Sequence, residues 1–187
     1  MSRHGAILPR SFYRRNVVTV AQDLLGMLLV HRVRGQERIG RIVETEAYLG
    51  RHDRASHSSR STKERKAALF GSIGHAYVYL IYGMYECMNV VAEEEGKGAA
   101  ILLRAVEPVE KCDGKTTGPG LLSRAMGITR TLDGCDLLSK NFYIAKPFVR
   151  EHITIVVRPR IGVDYASHWA KRLLRFYIKD NPFVSKQ

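Results

Sequence analysis

The sequence predicts an α+β protein: a single compact domain on a central, largely antiparallel sheet, with short surrounding helices and one protruding β-hairpin. Three observations predict it. Strand-like runs follow one another across short glycine-containing turns rather than across long helical crossovers. Helical periodicity is confined to brief stretches. No repeat, low-complexity tract or linker divides the 187 residues, so 1–187 reads as one domain with residues 1–10 expected to be loosely held.

The elements follow in order. "NVVTVAQDLLG" (16–26) has Asn16 as a helix N-cap, apolar residues at Val17, Val20, Ala21, Leu24 and Leu25, and Gly26 as a stop. "MLLVHRV" is a strand running to a turn at Arg34–Gly35, and "RIGRIVETEAYLG" returns as its partner. Residues 51–68 are polar and aperiodic and read as a loop with at most one helical turn. "AYVYLIYGMYECMNVV" gives a strand pair near 76–82 and 85–91 around Gly83, and a further strand covers 99–106. "GPGLLSRAMGI" (118–128) is a loop entering a short helix. The end of the chain reads as a strand over 152–163, a short helix over 164–172 and a closing strand over 173–179.

Charge separates this chain from an average globular protein. Thirty Lys plus Arg face 18 Asp plus Glu, a net charge of +12, which suits a polyanionic partner. The cations cluster in residues 1–41 and in "RHDRASHSSRSTKERK" (51–66), and one-signed clusters favour a binding face. The three cysteines, Cys87, Cys112 and Cys135, form no CxxC pair, which argues against a disulfide framework or a structural zinc site. The early apolar run 24–30 is too short to span a bilayer, and no signal-peptide pattern opens the chain. The expectation is an intracellular protein, in bacterial cytoplasm and nucleoid or in a eukaryotic nucleus, without a membrane partner.

Candidate chemistry gathers in two places. Strict alternation in "RIVETEAYLG" puts Ile42, Glu44, Glu46 and Tyr48 on one strand face and Val43, Thr45 and Ala47 on the other. Paired carboxylates have separated pKa values, so one can serve as a general base, and alternation does not say which. The plain alternative is a half-exposed strand with a wet polar face. His57 together with Glu44, Glu46 and Asp53 offers a second alternative, a divalent-metal nuclease site, although no HxH, HxxxH or DxD spacing supports it. The other place is the hairpin, where four of nine tyrosines fall between residues 77 and 85. Buried phenols need hydrogen-bond partners, whereas exposed aromatics beside a basic surface can stack on bases or wedge into a base stack. Tyr48 and Tyr79 can wall a base pocket, Asn89 and His57 can contact a base, and Tyr82 is placed to push.

"RIVETEAYLG", "ASHS", "HAYVYLIYGMYECMNVV", "ILLRAVEP" and "RFYIKDNPFVS" together resemble the alkyladenine (3-methyladenine) DNA glycosylase family, from about residue 10 to the C-terminus. The resemblance implies a monofunctional enzyme without metal or other cofactor. It implies that damaged purines such as 3-methyladenine, 7-methylguanine, hypoxanthine and ethenoadenine are flipped from duplex DNA and cut at the N-glycosidic bond by a monomer. It assigns the general base to Glu46 and a positioning role to Arg104, with Glu44 expected to tolerate substitution better. Tyr48, His57 and Tyr79 match the base pocket, Asn89 the residue that crowds the guanine 2-amino group, and Tyr82 the residue that fills the gap. Tyr77, Met84, Arg60 and Arg65 are expected as further DNA contacts. The chain departs from the family pattern at "RSTKERKAALFG" where a TPRN-like stretch is usual, at Leu121 for a lysine, at Leu173 for a proline, and in a shorter 109–117 segment. The competing class is a non-catalytic nucleic-acid-binding module of the same fold.

Overall fold

A computed structural model describes residues 4–187. The strands are β1 (Leu28–Val33), β2 (Gln36–Tyr48), β3 (Ala76–Ile81), β4 (Tyr85–Val91), β5 (Ala100–Glu110), β6 (Phe142–Ala145), β7 (Ile155–Arg158) and β8 (Arg175–Ile178). The helices are α1 (Arg10–Tyr13), α2 (Val17–Asp23) and α3 (Pro119–Met126), joined by 3-10 segments at His57–Ser59, Arg130–Leu132 and Asp164–Lys171. All the strand pairings are antiparallel, in the order β3–β4–β5–β2–β1–β6, with β8 joining β2 and β7 joining β8. The α+β architecture is as the sequence predicts.

The centre is β2. One edge pairs with β5 along its length; the other pairs with β1 up to Arg41 and with β8 from Glu44 to Glu46. Register shifts between Ile42 and Thr45 accompany this change of partner, as bulges that bend a strand do. They also break the strict alternation: Ile42 and Val43 both enter the core. Beyond the bulge, Thr45 faces α2, donating its Oγ1 hydroxyl to the Ala21 carbonyl at 2.9 Å, and Ala47 joins the same core. That leaves Glu44 and Glu46 on the opposite face, which is not wet: both are fully buried.

Helix α2 starts as read, with Asn16 Oδ1 accepting from the Val18 N–H at 3.0 Å, and packs Val17, Val20 and Ala21 into the core. Elsewhere the sequence reading needs correction. Strand β5 runs four residues beyond the expected 106, and β7 occupies only Ile155–Arg158 of the expected 152–163. In place of the helix expected over 164–172 stands a 3-10 segment, Asp164–Lys171, interrupted at Ser167, where φ is 54°. Helix α1 and strand β6 were not anticipated, because four-residue elements are too short to show a period. Of the start expected to be loose, residues 1–3 lie outside the described residues and 4–10 are docked. The Gly5 and Leu8 N–H groups donate to Lys146 and Ile144 carbonyls at 2.8 Å, and Leu8 is fully buried. Among the described residues no helix is long and apolar enough to cross a membrane.

Candidate active site

A cavity of about 650 Å³ opens beside the carboxylate face of β2, under the β3–β4 hairpin. Its walls are tyrosines: Tyr48 from β2, Tyr77 and Tyr79 from β3 and Tyr85 from β4, joined by His57 and Tyr165 from the connecting segments. The first turn of α3 closes one side through Gly118–Leu121. Gly120 is required there, because a Cβ would come within 2.7 Å of the Tyr85 side chain.

Glu46 is fully buried behind the wall of this cavity, bonded to Tyr48, Arg104 and Ile161, which line it. Its Oε2 accepts the Tyr48 hydroxyl at 2.8 Å, and its Oε1 accepts the Ile161 N–H at 2.8 Å, with Arg104 Nη1 at 3.3 Å. Burial pushes its pKa above the usual carboxylate value, against the pull of Arg104 and these hydrogen bonds. A buried carboxylate tuned upward is suited to accept a proton from water. Glu44 is engaged differently. Its Oε1 accepts from Arg104 Nε at 3.2 Å and Arg175 Nη1 at 2.9 Å, and its Oε2 from the Ser185 N–H at 2.7 Å. One carboxylate reaches the cavity's tyrosine, and the other neutralises two buried arginines.

The stacking groups converge. His57 and Tyr79 rings lie 4.4 Å apart edge-on, and Tyr77 and Tyr79 are 5.4 Å apart. His57 Nδ1 is 2.9 Å from the Tyr77 hydroxyl. Burial, with Lys66 nearby, lowers the His57 pKa, so its ring is neutral near pH 7. Tyr77, expected as a DNA contact, is only 4% exposed and braces His57 instead. Asn89 is buried on β4 and lines the cavity, its amide donating to the Tyr77 carbonyl at 3.1 Å. Cys87 also lines it, with burial raising the thiol pKa to about 11, so it is no nucleophile at neutral pH.

The hairpin tip is the exposed part. Tyr82 and Gly83 have φ of 53° and 68°, and the Met84 N–H donates to Ile81 O at 3.2 Å, which is a turn with both central residues left-handed. Tyr82 is 82% exposed and Met84 63% exposed. Arg60 lies with its guanidinium 4.8 Å from the Tyr165 ring at the cavity's edge, and Arg65 is exposed in the neighbouring loop.

Other site residues were not visible to sequence reasoning. Ile161 acts through its backbone N–H, and Ser185 likewise, so residue type carries no signal. Arg160 gives a bidentate pair to Asp53 with both side chains fully buried. That pair commits Asp53, and Glu44 is committed to Arg104 and Arg175. Among the described residues no group of three or more His, Cys, Asp or Glu is arranged to hold a metal ion.

The family model for methylpurine-DNA glycosylase matches residues 11–182. A Legionella pneumophila (strain Lens) protein is 59% identical over 179 residues, covering 96% of this chain and 98% of its own. Proteins of Myxococcus xanthus and Methanocella arvoryzae are each 47% identical, covering 96% and 97% of this chain and 93% and 96% of theirs. All three carry the provisional name 3-methyladenine DNA glycosylase.

Proposed function

The chain belongs to the methylpurine-DNA glycosylase family, and from that membership we propose that it is a monofunctional base-excision-repair glycosylase acting, as a monomer, on damaged purines in duplex DNA. Substrates are 3-methyladenine, 7-methylguanine, hypoxanthine and ethenoadenine. The observation that carries this reading is the buried Glu46, held by Tyr48, Ile161 and Arg104 behind the wall of an aromatic cavity under an exposed hairpin tip.

Tyr82, flanked by Met84, enters the base stack and compensates the stacking lost by the flipped purine. Tyr48, His57 and Tyr79 hold the extruded base, and cationic N-alkylpurines gain about 0.5–2 kcal/mol from the tyrosine faces. Asn89 occupies the space a guanine 2-amino group needs. A water gives its proton to Glu46 and its oxygen to C1′. The glycosidic electron pair leaves with the purine, and the carboxylate charge stabilises the oxocarbenium character of the sugar. Arg104 sets the Glu46 orientation, and Arg60 and Arg65 contact DNA phosphate.

The test is a set of duplexes each carrying one of these lesions, incubated with the protein in chelator and then treated with or without alkali. The expected result is free base, an intact strand until alkali, and no chelator effect. Strand cuts without alkali, or loss of activity with chelator, would indicate a metal nuclease. Tight lesion binding without base release would indicate a binding module.

A further inference from the structure

We propose that the buried Asp53–Arg160 pair is the positioning device of the candidate base: it fixes the Tyr48 ring and the Ile161 amide, and through them the Glu46 carboxylate. The inference rests on the reading above, that Glu46 activates water.

The geometry carries it. Arg160 Nη1 and Nη2 donate to the two Asp53 oxygens at 2.5 and 2.9 Å, and the same nitrogens donate to the Ala47 and Trp169 carbonyls at 3.0 and 3.3 Å. Asp53 in turn accepts the Leu49 N–H at 3.1 Å and the Ala55 N–H at 3.0 Å. One ion pair therefore ties together the end of β2, the loop that leads to His57 and the 3-10 segment around Trp169. The Arg160 guanidinium sits 4.7 Å from the centroid of the Tyr48 ring. Tyr48 lines the cavity and Arg160 does not, so the cation backs the wall on the side away from a bound base. The next residue, Ile161, donates its N–H to Glu46, while Tyr48 donates its hydroxyl to the other oxygen. Both neutral donors to the base are thus anchored by one guanidinium.

Stability alone does not single out this arrangement, since replacing a buried ion pair by apolar side chains of similar volume is often neutral or stabilising. What the ion pair supplies is a fixed, planar fork that defines the ring plane of Tyr48. Charge adds to geometry. Burial and Glu46 push the Tyr48 hydroxyl well above an ordinary phenol, and the Arg160 charge opposes them, making Tyr48 a stronger donor to the carboxylate.

The experiment replaces the pair by neutral amides, as Asp53→Asn/Arg160→Gln, and measures single-turnover base excision across pH, binding to a duplex with a stable abasic-site analogue, and the melting transition. The expected result is a folded protein that binds the abasic duplex as wild type does. Its excision falls about 10- to 100-fold, the scale of small misplacements of reacting groups. The acid limb of its rate profile moves to higher pH. In a Tyr48→Phe background the same replacement should cost markedly less than with the hydroxyl present, because interacting residues are non-additive. If the double variant does not fold, Arg160→Lys, which keeps the charge but loses the fork, is measured in the same cycle. Wild-type rates in the folded variant, or losses that simply multiply in the Tyr48→Phe background, overturn this inference alone. Wild-type protein that releases no base overturns the glycosylase reading with it.

Discussion

Two glutamates two positions apart have opposite assignments. Glu46 is the carboxylate whose ionisation is resisted by burial, and Glu44 is the one surrounded by Arg104, Arg175 and the Ser185 amide. Glu46→Gln should abolish excision in a single-turnover assay while leaving abasic-duplex binding near wild type. Its raised pKa means that ionising it costs folded-state stability as pH rises through that value. Glu46→Gln therefore keeps or raises the melting temperature at pH 7. Glu44→Gln should be much milder on excision, and the buried partners of Glu44 make stability the property it should affect. Removing its charge leaves the buried Arg175 guanidinium without its carboxylate and Arg104 with Glu46 alone, and Glu44→Gln should cost about 3–5 kcal/mol in denaturant unfolding. Because Glu46 must be ionised to act, excision of a cationic lesion should decline on acidification through a midpoint above the 4.5 of an ordinary glutamate. A midpoint at or below that value would remove Glu46 from the role. Asn89→Ala, which empties the space beside the Tyr77 carbonyl, should raise release of normal guanine relative to hypoxanthine; unchanged discrimination would end the steric assignment.

At the scale of elements, the β3–β4 hairpin divides its tyrosines by depth. Tyr77 and Tyr79 stand at the cavity and support His57, whereas Tyr82 projects from the tip at a left-handed φ of 53°. A non-glycine residue there costs about 1–2 kcal/mol of backbone energy. A mostly exposed ring returns little by packing in the free protein, so stability does not account for a tyrosine at this position. Tyr82→Gly should leave the melting temperature unchanged or higher and yet weaken flipping, read by a fluorescent base analogue beside the lesion. Loss of stability with normal flipping would make Tyr82 a packing residue. Gly120 belongs to the same scale: α3 can lie against Tyr85 only because no Cβ intervenes.

Across the whole molecule, the curl of the sheet at β2 joins distant parts of the chain. Residues near 46, 104, 161 and 185 meet at the two glutamates, so the site is completed only when β5, β8 and the C-terminal segment have docked. The net charge of +12 acts at this scale too. Duplex affinity should fall steeply with salt. Arg60→Gln and Arg65→Gln should each lower the log–log salt slope by about 1, with uniform weakening across lesions. An unchanged slope in either variant would take that arginine off the DNA path.

The sequence by itself determined much of this protein. Asn16 caps the start of α2, Arg34–Gly35 and Tyr82–Gly83 turn the two hairpins, and the β3 and β4 boundaries are legible to within a residue, because caps, turn residues and period-two patterns act over a few neighbours; the helix itself ends at Asp23, short of the Gly26 expected to stop it. The motifs around Glu46 and the hairpin also pointed to the family. Tertiary structure decided the rest. A bulge in β2 overrode strict alternation at Ile42 and Val43, and sheet contacts buried a strand face that alternation left open to water. Ile161 and Ser185 serve through main-chain N–H groups that every non-proline residue possesses, so no side chain announces them. Arg160 and Asp53, 107 positions apart, meet only because the packed 3-10 segment brings them together. Local patterns record what neighbouring residues do to the backbone; the partners that tune a buried charge are chosen by the packing of distant segments, which no local pattern contains.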